Sequence, residues 1–292
     1  MRAVTAATVV AAVLGDPIAH SLSPTLHNAG YEALGLDHVY VAFRVDKKGA
    51  RRAFRAVRAL ALQGVNVTMP LKGVAAAHAD RRTSDVDAIG AANTVVNEGG
   101  DMVAHNTDVE GFVRAVQDGL GLDLPGLSAV VVGAGGAARA VVAALGRHRA
   151  GRVVVAARRR APADAVAALA HGHGRAVPMG SKAAGTAVAS ADLVVNATPV
   201  GMAADELPAH LIGELHSGQA AMDLVYSPPE TPFLRAARGA GARTTGGLGM
   251  LVHQAGLAFT LFTGQPAPLE AMSAAAVAEL SRRHAGGFTD LA

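Results

Sequence analysis

Leu127–Val132 is a mostly apolar run that enters Gly133-Ala134-Gly135-Gly136-Ala137-Ala138-Arg139-Ala140 without a polar turn, and a helical pattern continues to Leu145. A strand that turns this tightly into a helix leaves few architectures open. Gly133 permits the turn, Gly135 lets a ligand approach the backbone, and Ala138 stands where a third small residue meets the sheet. The free N–H groups and dipole of the helix start form an anion site. Gly-rich turns also serve packing alone, so the neighbouring segments decide the meaning. Strand–turn–helix units in alternation predict an α/β fold with a mostly parallel sheet.

The next strand, Arg152–Ala157, ends in Arg158-Arg159-Arg160 with no acid nearby. A dinucleotide site built for NAD carries an Asp or Glu at this strand end to hold the ribose hydroxyls. Guanidinium groups instead suit a 2′-phosphate, through charge-assisted and often bidentate bonds. This run therefore points to NADP; the other reading is a solvated loop with three arginines.

With 292 residues the chain is long enough for two domains. A net charge of +3 over that length is no basis for nucleic-acid binding, which needs a concentrated basic patch. The absence of Cys rules out disulfides, thiolate metal sites and a Cys nucleophile, and it fits the cytoplasm. No apolar run reaches the length of a membrane span. Val4–Leu14 could pass for the apolar part of a signal peptide, but only Arg2 precedes it, and Thr8–Leu14 reads better as a first strand closed by Gly15-Asp16-Pro17.

Ser23 is expected to cap a helix that has Pro24 at its first position. Val39–Val45 reads as a strand and Lys48–Leu60 as an amphipathic helix. That helix has a basic stripe of Lys48, Arg51, Arg52, Arg55 and Arg58, best read as a solvated face. Val65 and Val67 form a short strand, and Pro70 stops its ladder, so Asn66, Thr68 and Lys72 sit near a strand end. Ile89–Val96 reads as a strand, Glu98-Gly99-Gly100-Asp101 as a hairpin loop and Met102–His105 as the return strand. Asp108 opens the helix that leads to a second domain. Asp192–Asn196 and Ala220–Val225 are further strands, and Met250–Phe262 and Ala271–His284 are closing helices. His171-x-His173 lacks a further placed ligand and reads as loop, so no metal is expected. His20 and His27 read as structural hydrogen-bonding residues.

An isolated loop lysine is ordinarily a solvated one. Lys72 keeps other company: Ser21, Ser23, Asn66, Thr68, Asn93 and Asn106-Thr107-Asp108 also fall at presumed strand ends and loops. Hydroxyls, amides, one cation and one carboxylate suit a small polyhydroxylated acid. No aromatic platform interleaves with them, which weighs against nucleic acid.

Gly15-Asp16-Pro17-Ile18-Ala19-His20-Ser21-Leu22-Ser23-Pro24, with His27-Asn28, resembles the opening motif of shikimate dehydrogenases. The resemblance runs on through 66–72, Gly90-Ala91-Ala92-Asn93-Thr94, Asn106-Thr107-Asp108 and the glycine loop. It continues in Asn196-Ala197-Thr198-Pro199-Val200-Gly201-Met202, Asp223-Leu224-Val225-Tyr226-Ser227-Pro228 and 247–254. These motifs stand in the family's order over nearly the whole chain. Three positions depart from the pattern: Ala157 in place of a usual Asn, Ala104-His105 in place of Gly and an aromatic, and Gly246 in place of Asp.

The resemblance implies an NADPH-linked, reversible reduction of 3-dehydroshikimate to shikimate, a cytoplasmic step of aromatic amino-acid biosynthesis. It implies two α/β domains with a cleft between them. Residues 1–108 would form the substrate domain, completed by C-terminal helices over 248–292, and residues 109–247 a Rossmann-like NADP domain. Lys72 and Asp108 become the catalytic pair. Ser21, Ser23 and Tyr226 would hold the substrate carboxylate, and Asn66, Thr68, Asn93 and Gln254 the rest of the substrate. Gly133, Ala134, Gly135, Gly136, Ala137, Arg158, Arg159, Thr198, Leu224, Gly247 and Met250 would line the cofactor. A small-molecule substrate is the expected partner, with neither nucleic acid nor membrane, and a homodimer is an allowed assembly. Two other readings stay open: a quinate or aminoshikimate-type dehydrogenase on the same scaffold, and a catalytically silent NADP-binding sensor.

Overall fold

The computed structural model describes residues 3–203 and 205–285. The chain divides into two compact units. One runs to Thr107 and resumes at Gln254; the other is Asp108–His253. The first carries β1 (Val9–Gly15), α1 (Ser23–Ala33), β2 (His38–Arg44), α2 (Ala50–Ala59), β3 (Gly64–Val67), α3 (Lys72–His78), β4 (Arg81–Arg82), α4 (Ser84–Ile89), β5 (Thr94–Glu98) and β6 (Asp101–His105). The second carries α5 (Asp108–Leu120), β7 (Ser128–Val132), α6 (Gly136–Arg147), β8 (Arg152–Ala157), α7 (Arg160–Ala167), β9 (Gly174–Pro178), α8 (Lys182–Ala189), β10 (Leu193–Asn196), α9 (Ala209–Ile212), β11 (Ala220–Asp223), α10 (Pro232–Gly239) and β12 (Arg243–Thr245). The chain then enters α11 (Leu248–Thr263), which crosses the unit boundary, and α12 (Leu269–Ala285) in the first unit.

The first sheet has the order β2-β1-β3-β5-β6-β4. β1 is paired in parallel on both edges, with β2 and β3, which explains why Ala11 to Leu14 are all buried. β5 runs antiparallel to β3 and to β6, so the sheet is mixed. Gly99 and Gly100, at φ +64° and +103°, supply the left-handed turn that joins β5 to β6. One face of the sheet packs Leu14, Val65, Val67 and Val95 against Phe54, Val57, Leu71 and Val86 from α2, α3 and α4 and their flanks. On the other, Tyr31 of α1 lies 5.2 Å from Phe259 of α11, ring centre to ring centre.

Three local expectations change. α1 starts at Ser23 with Leu22 in the cap position, because Ser21 Oγ already accepts the Ser23 N–H at 3.2 Å. The segment 89–96 is a strand only from Thr94: Ile89 ends α4, and Gly90 at φ +69° is the left-handed residue that stops it. His27 is fully buried, and neither ring nitrogen has a hydrogen-bond partner among the described residues. It is a packing residue, stacked on Tyr40 at 4.2 Å and 11°.

That burial has a pH consequence. Desolvation holds the His27 imidazole down at about 3, against an ordinary value of 6.5. The unfolded chain accepts a proton across that window and the folded chain does not. The fold therefore bears no cost above pH 6.5 and is progressively destabilised as pH falls toward 3, by at most about 1.4 kcal/mol per pH unit. His27→Phe is expected to flatten the fall in Tm across this window in a thermal melt series. A slope equal to that of the unaltered protein would refute it.

The second sheet, β12-β11-β10-β7-β8-β9, is parallel throughout. This is the doubly wound order, with its switch point between β7 and β10. His171-Gly172-His173-Gly174 is a turn into β9, with His171 and Gly172 at φ +51° and +93° and His173 Nδ1 hydrogen-bonded to the Gly151 carbonyl at 3.2 Å.

Candidate active site

In the first unit a turn over residues 68–71 follows β3. The Thr68 N–H donates to the Leu14 carbonyl at 2.9 Å, the Asp16 N–H donates to that of Met69 at 2.9 Å, and the Leu71 N–H closes on Thr68 at 2.8 Å. This places the Gly15-Asp16 motif directly against Thr68. A Cβ at Gly15 would lie 2.3 Å from Thr68 Cγ2, so the approach requires glycine. Lys72 is the first residue of α3 and half-buried, and its carbonyl accepts the Ala92 N–H at 2.9 Å.

That bond leads to Asn93, 3% exposed. Asn93 Oδ1 accepts the Thr107 N–H at 2.8 Å, and its Nδ2 donates to Thr107 Oγ1 at 2.9 Å and to Gln254 Oε1 at 3.4 Å. Three motifs distant in sequence thus meet around one amide. Ser21 is half-buried and Ser23 buried, both at the start of α1. Asn66 lies inside the first unit. It is 7% exposed, and its amide is engaged inside the protein: Oδ1 with Tyr40 Oη at 2.6 Å, Nδ2 with Thr94 Oγ1 at 2.9 Å and the Asn93 carbonyl at 3.3 Å. Both hydrogens of its NH₂ have partners.

In the second unit the glycine loop lies at the switch point. Gly133 sits at φ +117°, and a Cβ on it would come within 2.9 Å of the Ala197 carbonyl and 3.0 Å of Thr198 Cγ2. A Cβ on Gly135 would meet nothing within 4 Å, so this stretch of backbone is open to a ligand. Gly136 and Ala137 form the first turn of α6, and Ala138 is fully buried where α6 meets the sheet. Ala134 completes the loop between β7 and α6.

Asn196 and Asp223 close β10 and β11 and stand opposite each other in register. Asn196 Nδ2 donates to Asp223 Oδ1 at 3.0 Å, while its Oδ1 accepts from Thr198 Oγ1 at 2.6 Å. Asp223 also accepts from the Val225 N–H at 3.0 Å and from Thr231 Oγ1 at 2.6 Å. Burial pushes its carboxyl above the usual range, outweighing those donors. The pair fixes the loops that carry Thr198 and Leu224. Gly247 backs Leu224 closely: a Cβ there would lie 2.1 Å from the Leu224 carbonyl. Tyr226 is half-buried just after β11, Met250 is buried in the first turn of α11, and Asp108, 6% exposed, is the first residue of α5.

Arg158 and Arg159 are exposed immediately after β8. Arg160 is tied to Asp164 by two bonds of 2.9 and 2.7 Å, which sets it apart from the other two. Among the described residues no cluster of three or more His, Cys, Asp or Glu could hold a metal ion, and no helix is long and apolar enough to cross a membrane.

Residues 13–95 match the family described as the shikimate dehydrogenase substrate binding domain, and residues 247–277 the shikimate 5'-dehydrogenase C-terminal domain. The shikimate dehydrogenase (NADP(+)) of Methanopyrus kandleri is 40% identical over 286 residues, 95% of this chain and 98% of that protein. The chain belongs to the shikimate dehydrogenase family. Among solved structures, the shikimate 5-dehydrogenase of Thermus thermophilus, in complex with NADP(H) and shikimate, is 39% identical at a TM-score of 0.83 and covers 93% of this chain and 99% of its own. The quinate dehydrogenase of Corynebacterium glutamicum, in complex with NAD, is 34% identical at the same TM-score and covers 93% and 99%.

The second unit of this shikimate dehydrogenase family member fits NADP on its own geometry. It offers an open backbone face at Gly135, the N–H groups of a 12-residue helix behind it, and two exposed guanidinium groups at the end of β8. The structural roles of Asn196, Asp223 and Tyr40 leave no signal in the motifs. Asn196 and Asp223 each end a strand, but nothing before the register is known makes them partners.

Proposed function

We propose that this chain catalyses the reversible reduction of 3-dehydroshikimate to shikimate with NADPH, a step of the shikimate pathway that leads through chorismate to aromatic amino acids. The observation that supports it best is the convergence of Thr107 and Gln254 on the Asn93 amide, beside the bond from the Ala92 N–H to the Lys72 carbonyl, which gathers the polar motifs of the first unit. Bound NADPH supplies the hydride. Negative charge then builds on the ketone oxygen, and Lys72 acts there as proton donor, and as base in the reverse direction. Asp108 orients the reacting hydroxyl by accepting its hydrogen bond. Ser21, Ser23 and Tyr226 hold the carboxylate through their hydroxyls, while Thr68, Asn93 and Gln254 hold the ring hydroxyls.

On the cofactor side, the backbone of Gly133 to Ala137 takes the pyrophosphate, Arg158 and Arg159 the 2′-phosphate, and Thr198, Leu224, Gly247 and Met250 line the remainder. We place the reaction in the cytoplasm; a homodimer is the assembly to test, by sedimentation velocity. The deciding experiment follows absorbance at the NAD(P)H band with shikimate or quinate against NADP or NAD. Turnover strongest with shikimate and NADP is expected. A preference for quinate or NAD would reassign the serine pair or the arginine run. NADP binding without turnover in any combination would point to an amino-substituted substrate or a sensor.

A further inference from the structure

The Tyr40 hydroxyl starts a one-directional chain of hydrogen bonds that runs through Asn66 and Thr94 to Asn93 and Gln254. The backbone of this tyrosine is held by Asn28, whose Nδ2 donates to the Tyr40 carbonyl at 2.9 Å and whose Oδ1 accepts the Tyr40 N–H at 2.8 Å, while His27 stacks on the ring. The phenol is 1% exposed, and burial holds it protonated, so it remains a donor. It donates to Asn66 Oδ1 at 2.6 Å, which forces the Asn66 NH₂ toward Thr94 Oγ1 at 2.9 Å. Having accepted there, Thr94 donates onward to Asn93 Oδ1 at 3.1 Å. The Asn93 oxygen is thereby turned inward, and its NH₂ faces Thr107 Oγ1 and Gln254 Oε1. Asn66, Thr94 and Asn93 are all buried, and Gln254 at the end of the chain of bonds is half-buried.

We propose that Tyr40 is a positioning residue for substrate: through Asn66 and Thr94 it sets which end of the Asn93 and Gln254 amides donates and which accepts toward the ring hydroxyls. An amide flipped by half a turn presents a donor where an acceptor is needed, and discrimination between hydroxylated substrates depends on that pattern. The inference rests on the shikimate reading of this site. The Thr107 N–H anchors the same Asn93 oxygen independently at 2.8 Å, so breaking the relay weakens binding without abolishing it.

The test compares Tyr40→Phe, Thr94→Val and Thr94→Ser in the full chain. It uses shikimate and NADP affinities from calorimetry, steady-state kinetics, and thermal melts. Tyr40→Phe and Thr94→Val are each expected to raise the shikimate Kd and KM about tenfold, with kcat within about threefold and the NADP Kd unchanged. Thr94→Ser keeps the bridging hydroxyl and recovers most of the affinity. A shikimate analogue lacking the hydroxyl met by Asn93 loses less than about threefold in Tyr40→Phe, because the interaction being set is absent. Unchanged shikimate affinity in folded Tyr40→Phe overturns the proposal. So does a rise in both shikimate and NADP Kd in step with a fall in Tm, which is the mark of a structural role. If Tyr40→Phe does not fold, the Thr94→Val and Thr94→Ser pair decides by the same criteria. Unaltered protein that does not turn over shikimate overturns the functional reading and this inference with it; normal turnover with unaffected variants overturns the inference alone.

Discussion

Lys72→Ala is expected to lower kcat for shikimate oxidation by roughly 10²–10⁴, the usual contribution of a positioned proton-transfer group, while shikimate still binds. Lys72 is the first residue of α3, and the first turn contains no acid. A positive charge at a helix N-terminus opposes the helix dipole, at a cost of about 0.3–1 kcal/mol. Alanine is the better helix former, so α3 itself tolerates the change. Loss of rate with retained Tm and retained shikimate affinity in calorimetry separates chemistry from structure. A kcat near that of the unaltered protein would take the proton-donor role from Lys72.

The second large effect concerns cofactor choice. Arg158→Ala/Arg159→Ala is expected to raise the NADP KM about 10²-fold, roughly tenfold for each charge-assisted hydrogen bond removed at an exposed site, and to change the NAD KM less than twofold. The asymmetry follows from the group being read, since only NADP carries the 2′-phosphate. Arg160→Ala is the control. Its guanidinium is already paired with Asp164, one helical turn on, so its removal should shift cofactor preference less than about twofold. Equal losses for NADP and NAD in the double variant would mean that the two arginines serve general electrostatic attraction and do not read the 2′-phosphate. KM values for both cofactors, from initial rates at saturating shikimate, decide it.

The expected α/β architecture follows from rules that act within a few residues. The apolar runs that become β1, β7 and β8 are long enough and sharply enough bounded to be strands. Gly133 and Gly99-Gly100 adopt the positive φ that their turns need. The arginine run follows β8 directly, so its position relative to the glycine loop was also legible. What local rules could not supply is the partner across the fold. The chain shows a serine at 23 next to a proline, but which residue caps α1 depends on the Ser21 hydroxyl reaching the Ser23 N–H. His27 reads as a polar residue within a motif, and only the packing of α1 against Tyr40 removes all its partners.

The kinds of chemistry present, and their order, can be read along the chain: a lysine beyond a strand end, a run of amides and hydroxyls, a glycine loop, and arginines in place of an acid. What those groups do was set by the folded arrangement. Asn66 and Asn93 are the same residue type in similar motifs. Sheet register brings Asn66 to Tyr40, 26 positions away, whereas the placement of α11 brings Gln254 to Asn93, 161 positions away. Asn196 and Asp223 become one buried pair because β10 and β11 align them. A hydrogen bond depends on distance and direction to within a few tenths of an ångström, and a linear pattern carries neither across loops of this length.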